Sequence, residues 1–132
     1  LAEDLGELSH EVIELRSIKN IPGMKVFQFD YEKISKSDKE NKVLFTGTHD
    51  NDTTLGWWQA LDETAKANVL KLTGQSNDIV GSIMELAKQC LAPLCIIPLQ
   101  DILRLDSTGR MNIPGVEQGN WQWRFQWEDL PF

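Results

Sequence analysis

Val43-Leu44-Phe45-Thr46, followed at once by Gly47-Thr48-His49-Asp50-Asn51-Asp52-Thr53-Thr54, is the stretch from which the fold can be read. Its first four residues are an apolar run of strand length, and a dense polar cluster follows without a spacer. Acids and an imidazole directly behind a strand are the pattern of parallel α/β proteins, whose functional residues gather just past the carboxyl ends of strands. Upstream, Met24-Lys25-Val26-Phe27-Gln28-Phe29 alternates apolar positions and predicts a strand over 24–29. Residues 30–42, rich in Lys, Ser and Asp, predict a solvated excursion. Before them, Ser9 can cap a helix running to about Lys19, with Val12, Leu15 and Ile18 along one side and Ile13 beside them, stopped by Asn20 and Pro22-Gly23. Downstream, a helix is predicted from Asp62 to Leu72 with Gly74 as its terminating residue. Asn77 then opens another, with Ile79, Val80, Ile83, Met84, Ala87 and Cys90 on a broad apolar face. Leu94-Cys95-Ile96-Ile97 is a continuous apolar run, the pattern of a strand buried on both faces. Met84 and Phe27 are assigned to the core, and from Leu103 onward the pattern dissolves into turns and a Trp-rich tail. Strands alternating with helices, with no hairpin signal, predict a parallel α/β fold.

The chain has 132 residues, one domain's worth. A complete (β/α)8 barrel takes about 250 residues, so a barrel signal here would come from a piece of one. Lys plus Arg number 13 against 20 for Asp plus Glu, a net charge of -7, and no basic stripe is available for a phosphate backbone, so no nucleic-acid partner is expected. The composition, 41% hydrophobic and 25% charged, is that of a globular protein and not of a disordered one. The longest apolar stretch, Leu91 to Leu99, is interrupted by Pro93 and Pro98, so no membrane span is expected. The opening Leu1-Ala2-Glu3-Asp4 carries neither an initiator Met nor a basic-then-apolar leader, and the expectation is a piece cut from a longer chain. Cys90 and Cys95 are too few for a disulfide framework and are assigned to a helix end and a strand, which predicts a reducing, cytoplasmic setting.

Two segments bring acids to the same rim of such a sheet: Asp50 behind its strand, and Glu3 if residues 1–6 are the tail of another. Paired carboxylates suit glycoside chemistry, in which one is protonated to release the leaving oxygen while others stay ionised to attack or to stabilise a positively charged sugar. His49 can donate to a sugar hydroxyl. An alternative treats His49, Asp50 and Asp52 as metal ligands, although a second ligand set is lacking and His10 falls on a helix surface. Asp52 or Thr53 also reads as an N-cap for the following turn. Trp121, Trp123, Phe125 and Trp127 alternate as on one face of a strand or extended segment. Trp57 and Trp58 precede them, and for any single Trp a core position is the first expectation.

Taken together, Ala2-Glu3-Asp4-Leu5-Gly6, Pro22-Gly23-Met24-Lys25-Val26, Thr46-Gly47-Thr48-His49-Asp50-Asn51-Asp52-Thr53, Pro98-Leu99-Gln100-Asp101, Met111-Asn112-Ile113-Pro114-Gly115 and Gly119-Asn120-Trp121-Gln122-Trp123-Arg124 resemble the C-terminal part of glycoside hydrolase family 77, the 4-alpha-glucanotransferases or amylomaltases. The order and rough spacing agree over nearly all of the chain. The resemblance implies that residues 1–132 are a single fragment of a (β/α)8 TIM barrel catalytic domain. It implies an enzyme that transfers a piece of an alpha-1,4-glucan to the 4-hydroxyl of another sugar with retention, needing no cofactor and no metal. Glu3 would be the general acid/base and Asp50 the carboxylate that stabilises the oxocarbenium-like transition state. His49 would bond the sugar at the cleavage subsite, Asn112 and the Pro114-Gly115 turn would lie near the donor, and Trp57 would be a further sugar contact. Val116 stands where the family pattern has Thr, and residues 30–42 are shorter than the corresponding stretch. The family's nucleophilic aspartate belongs to the strand before the one ending at Glu3. The chain by itself is therefore expected to be inactive, with alpha-1,4-glucans and maltooligosaccharides as ligands of the parent. A fragment with open strand edges is expected to self-associate or to pair with the missing barrel half. The alternative is a non-catalytic glucan-binding or scaffold module.

Overall fold

The computed structural model describes residues 9–34 and 41–131. The helix expected after Ser9 forms as α1 (His10–Ile18), and the Ser9 hydroxyl accepts from the Val12 N–H at 3.4 Å. Asn20, with φ 50, turns the chain into β1 (Gly23–Val26).

The strand expected over 24–29 ends early. Pairing stops at Val26, opposite Phe45, and the chain coils into α2 (Phe27–Asp30). Phe27 and Gln28 are both buried, at 0% and 7% exposure, and a strand that alternates its faces would send one of them away from this side of the sheet. A short 3-10 turn at Tyr31–Lys33 follows, and Ile34 joins the core, so the predicted solvated excursion begins with packed residues. Residues 35–40 of that excursion lie outside the described part.

β2 (Lys42–Phe45) is the central strand, flanked by β1 and by β3 (Leu94–Ile96), and both pairings are parallel. Parallel neighbours need long crossovers, and helices supply the one from β2 to β3. These are α3 (Thr54–Ala60), α4 (Glu63–Thr73) and α5 (Ile79–Gln89). The α4 cap is as expected: Asp62 accepts from the Ala65 N–H at 2.8 Å, and Gly74 ends the helix with φ 81, a conformation that costs a residue lacking Cβ least. In α5 the cap is Asp78, one residue later than expected, accepting from the Gly81 N–H at 2.9 Å.

Five of the six residues expected on the apolar face of α5 are buried, joined by Leu86, while Cys90 is half-buried. They pack with Phe27, Leu44 and Val69 into one cluster between the helices and the sheet. Burial on both faces does not hold for β3. Cys95 faces the core, but Leu94 and Ile96 on the other side are 52% and 39% exposed, because among the described residues helices cover only one face there. The apolar stripe of α1 is likewise uncovered, with no buried residue. After β3, Pro98 leads into α6 (Leu99–Ile102) and the remainder is turns. No described helix is long and apolar enough to cross a membrane.

Candidate active site

The site stands where β2 ends. The Thr46 N–H continues the ladder to the Ile96 carbonyl at 3.3 Å, while its hydroxyl donates to Asp101 Oδ2 at 2.6 Å. The same oxygen accepts from the Thr54 hydroxyl at 2.7 Å, and Oδ1 accepts from the Thr54 backbone N–H at 2.8 Å. Asp101, on α6 and 1% exposed, thus clasps the exit of β2 to the entry of α3. Hydrogen bonds that converge on one carboxyl group in a buried, low-dielectric place are stronger than the same bonds in water. Between the clasped ends runs the loop 47–53.

That loop is itself braced. Asn51 Oδ1 accepts from both the N–H and the hydroxyl of Thr48, at 2.9 and 2.7 Å. Thr53 is the N-cap of α3, accepting from the Gly56 N–H at 3.0 Å. Asp52 accepts from the Thr53 N–H at 2.8 Å and the Ser107 hydroxyl at 2.6 Å. At Gly47 a Cβ would come 2.7 Å from Gln28 Nε2, the group that donates to the Asp52 carbonyl, so a side chain there would have to displace that contact.

Asp50 projects from the crest of this loop with its side chain 43% exposed. Asn112, 62 residues along the chain, donates to its Oδ1 at 2.5 Å, and His49 Nε2 lies 3.5 Å from the same oxygen. Arg110 staples the two segments, donating from Nη2 to the Asp50 carbonyl at 2.8 Å and from Nε to the Asn112 carbonyl at 2.9 Å. Oδ2 of Asp50 accepts no hydrogen bond from the described residues and is left for a ligand.

The segment 111–121 that carries Asn112 is a self-contained turn. Pro114 and Gly115 occupy the middle of a type II bend, with the Val116 N–H donating to the Ile113 carbonyl at 3.1 Å and Gly115 at φ 80. Asn120 ties the bend across: its Oδ1 accepts from the Ile113 N–H at 2.9 Å and its Nδ2 donates to the Val116 carbonyl at 2.7 Å. The Trp121 N–H closes the segment on the Met111 carbonyl at 2.7 Å. A cavity of about 200 Å³ opens beside it, walled by His49, Asn51, Pro98, Arg110, Met111 and Trp121.

His49, Asp50 and Asn112 are therefore gathered at one place, and Pro114 and Gly115 are exposed at the tip of the adjoining turn. Trp57 is not gathered with them. Its ring meets Phe27 edge-on at 6.0 Å and Tyr31 at 5.7 Å, so the expected sugar contact is a core side chain. Glu3 lies outside the described residues. Among the described residues no three His, Cys, Asp or Glu side chains converge on a metal position. Asp52, which the metal alternative needed, spends its carboxylate on Thr53 and Ser107.

The aromatic tail corrects the sequence expectation twice. Residues 121–127 form no strand, and Trp121 and Trp127 are exposed, at 53% and 77%, where core positions were expected. Trp121 instead stands against His49, ring centroids 5.2 Å apart. Gly119-Asn120 just before it was the available signal, since such a pair turns a chain and does not extend a strand.

Comparisons with known proteins place the chain in a family. Residues 1–129 match the family model for the 4-alpha-glucanotransferases, glycoside hydrolase family 77. The chain is 42% identical to the chloroplastic/amyloplastic 4-alpha-glucanotransferase of Solanum tuberosum, over 94% of this chain and 23% of that protein. It is 37% identical to the 4-alpha-glucanotransferase of Thermus thermophilus, over 94% of this chain and 28% of that protein. Among solved structures it is similar to an amylomaltase from Streptococcus agalactiae in complex with acarbose, with a TM-score of 0.86 and 27% identity over 97% of this chain and 28% of that one. The chain thus spans about a quarter of the length of these relatives. Its parallel strands alternating with helices are a portion of a (β/α)8 barrel, as the resemblance implied for the C-terminal part. The chain belongs to glycoside hydrolase family 77, the family of the 4-alpha-glucanotransferases.

Proposed function

We propose that the intact protein carrying these residues transfers a segment of an alpha-1,4-glucan to the 4-hydroxyl of an acceptor glucose or glucan, with retention of configuration. The observation that carries the proposal is the state of Asp50. One of its oxygens is held by Asn112 at 2.5 Å, beside His49, and the other accepts nothing from the described residues. A carboxylate fixed through one oxygen can offer the other to sugar hydroxyls, gaining strength as positive charge develops on the ring. The acarbose held by the Streptococcus agalactiae amylomaltase supports an oligosaccharide as the ligand.

In the proposed double displacement, an aspartate upstream of Leu1 attacks the anomeric carbon while Glu3 protonates the departing 4-oxygen. Asp50 and His49 grip the sugar as it flattens. Glu3 then takes the proton from the acceptor 4-hydroxyl, which displaces the aspartate and restores the original configuration. Both proton transfer and attack come from carboxylates, so the mechanism calls for no cofactor. On this reading the 132 residues by themselves, without that aspartate, are expected to do no chemistry. The bare faces of β3 and α1 support burial against further protein, either the rest of the barrel or a second copy. Two cysteines are too few for a disulfide framework, which favours a reducing compartment, and a cytoplasmic setting is part of the proposal.

The test is maltotriose disproportionation followed by glucose release. The intact protein is expected to release glucose, its Asp50→Asn variant to be slower by roughly 100- to 1000-fold, and the 132-residue chain to release none. An active Asp50→Asn protein or an active isolated chain would sink the assignment, and an intact protein that binds maltotriose without releasing glucose would favour a binding module.

A further inference from the structure

Trp121 departs from ordinary behaviour in three ways at once. Its backbone has φ 63, a left-handed conformation that bulky side chains rarely adopt and that costs on the order of 1–3 kcal/mol. Its ring is 53% exposed. Among the described residues its indole N–H donates to no acceptor.

The surroundings hold the residue in this conformation. The Trp121 N–H is fixed on Met111, the Trp121 carbonyl accepts from Arg124 Nη1 at 2.9 Å, and Asn120 before it is tied into the 111–121 turn. The outcome of that constraint is a single placement. The indole stands against His49, tilted 38° to the imidazole, and forms one wall of the cavity at the end of β2. The other rings of the tail do something else: Trp123 and Phe125 stack on each other at 6.2 Å, and Phe125 meets Trp127 at 5.5 Å. Backbone strain that is stabilised by surrounding hydrogen bonds and that ends by exposing a large ring against the His49 imidazole points to a functional position.

We infer that Trp121 is a sugar-binding residue: one pyranose ring of the bound glucan lays its apolar C–H face on the indole, next to the unit gripped by Asp50 and His49, and one of its hydroxyls accepts from the indole N–H. A glucose ring is amphipathic, with axial C–H bonds on its faces and hydroxyls on its rim. An exposed indole with an open N–H matches both parts. This inference deepens the proposed function and rests on it for the kind of ligand.

The experiment uses the intact protein with Trp121→Ala and Trp121→Phe, measuring acarbose affinity by calorimetry and maltotriose disproportionation kinetics. Trp121→Ala is expected to weaken acarbose binding and raise KM by about three- to tenfold, with kcat within about twofold of wild type. Trp121→Phe, which keeps a stacking face, is expected to recover most of both. An active wild type whose acarbose affinity and KM do not change in Trp121→Ala overturns the inference and leaves the proposed function standing. So does a loss of kcat with unchanged KM that Phe does not rescue, the behaviour of a residue that only shapes the loop. If the wild type releases no glucose while its acarbose affinity still depends on Trp121, the transferase assignment fails and the stacking role survives.

Discussion

The loops 47–53 and 111–121 meet at one hydrogen bond, Asn112 to Asp50, but are held in place by opposite means. The first is anchored in the interior. Its two ends are tied to Asp101, 1% exposed, and its sequence spends Thr46, Thr48, Asn51, Thr53 and Thr54 on internal hydrogen bonds. The second lies on the surface and is closed by its own residues, Asn120 across the bend and Trp121 on Met111. A side chain that must hold one position gains from a rigid, buried foundation. The neighbouring turn supplies a neutral amide and an aromatic face, groups whose interactions tolerate small displacements.

Removing the foundation should have the largest effect. Asp101→Ala leaves the Thr54 N–H and two hydroxyls buried without their acceptor, and we expect a stability loss of about 3 kcal/mol by urea unfolding, with the proposed transferase activity of the intact protein falling alongside. A loss under about 1 kcal/mol would mean that packing alone sets loop 47–53, and the contrast between the loops would collapse. Asn120→Ala should be milder and local, about 1 kcal/mol by the same measurement, because water can reach the groups it abandons. Limited proteolysis should then cut within 111–121 while the rest of the chain keeps its protection. Equal global destabilisation by the two variants would break the comparison.

The smallest expected effect sharpens it at the outer edge of the clasp. Arg104 donates from Nε and Nη2 to the two oxygens of Asp78, at 2.9 and 2.8 Å, and from Nη1 to the Asp101 carbonyl at 2.8 Å. These Arg104 hydrogen bonds first, and the Gly81 N–H second, hold the Asp78 carboxyl below its usual value, which is about 3.9. A group whose folded pKa is depressed adds stability that is complete above its unfolded pKa and fades as pH falls through the folded one. The melting-temperature gap between wild type and Asp78→Asn should therefore be steady at pH 5 and above and close below about pH 4. A gap that persists at pH 2 would show that the pair acts through packing.

The long periodic elements were legible in the residues. Asp62 and Gly74 bracket α4, and five of the six apolar residues expected on α5 are buried. The short helices were not: α2 and α6 are four residues each and α3 is seven, too short to repeat a 3.6-residue pattern. Phe27 and Gln28 looked like strand because each fits an alternating pattern, and only their joint burial requires a helical turn. At the site, His49 and Asp50 stood out by chemical type, yet type alone left a metal reading open. Asn112 was marked by resemblance, since nothing local in Met111-Asn112-Ile113 points to a partner 62 residues away. Asp101 gave no sign of burial, because an acid is buried only when donors from elsewhere converge on it. The alternation that suggests a strand or extended segment at Trp121 registers side-chain type and is blind to its positive φ.

The Asp101 clasp also orders events in time. Its bonds to Thr46 and Thr54 join residues 55 and 47 apart in sequence, with α3, α4, α5 and β3 strung between. Contacts across such spans carry a loop-closure cost that is recovered only after the intervening helices have docked, so they form late in folding. A nascent chain cannot display Asp50 in its final setting until that circuit closes. Loop 47–53 is therefore among the last parts to become ordered, and under the proposed function a partly folded molecule would hold a glucan weakly or not at all.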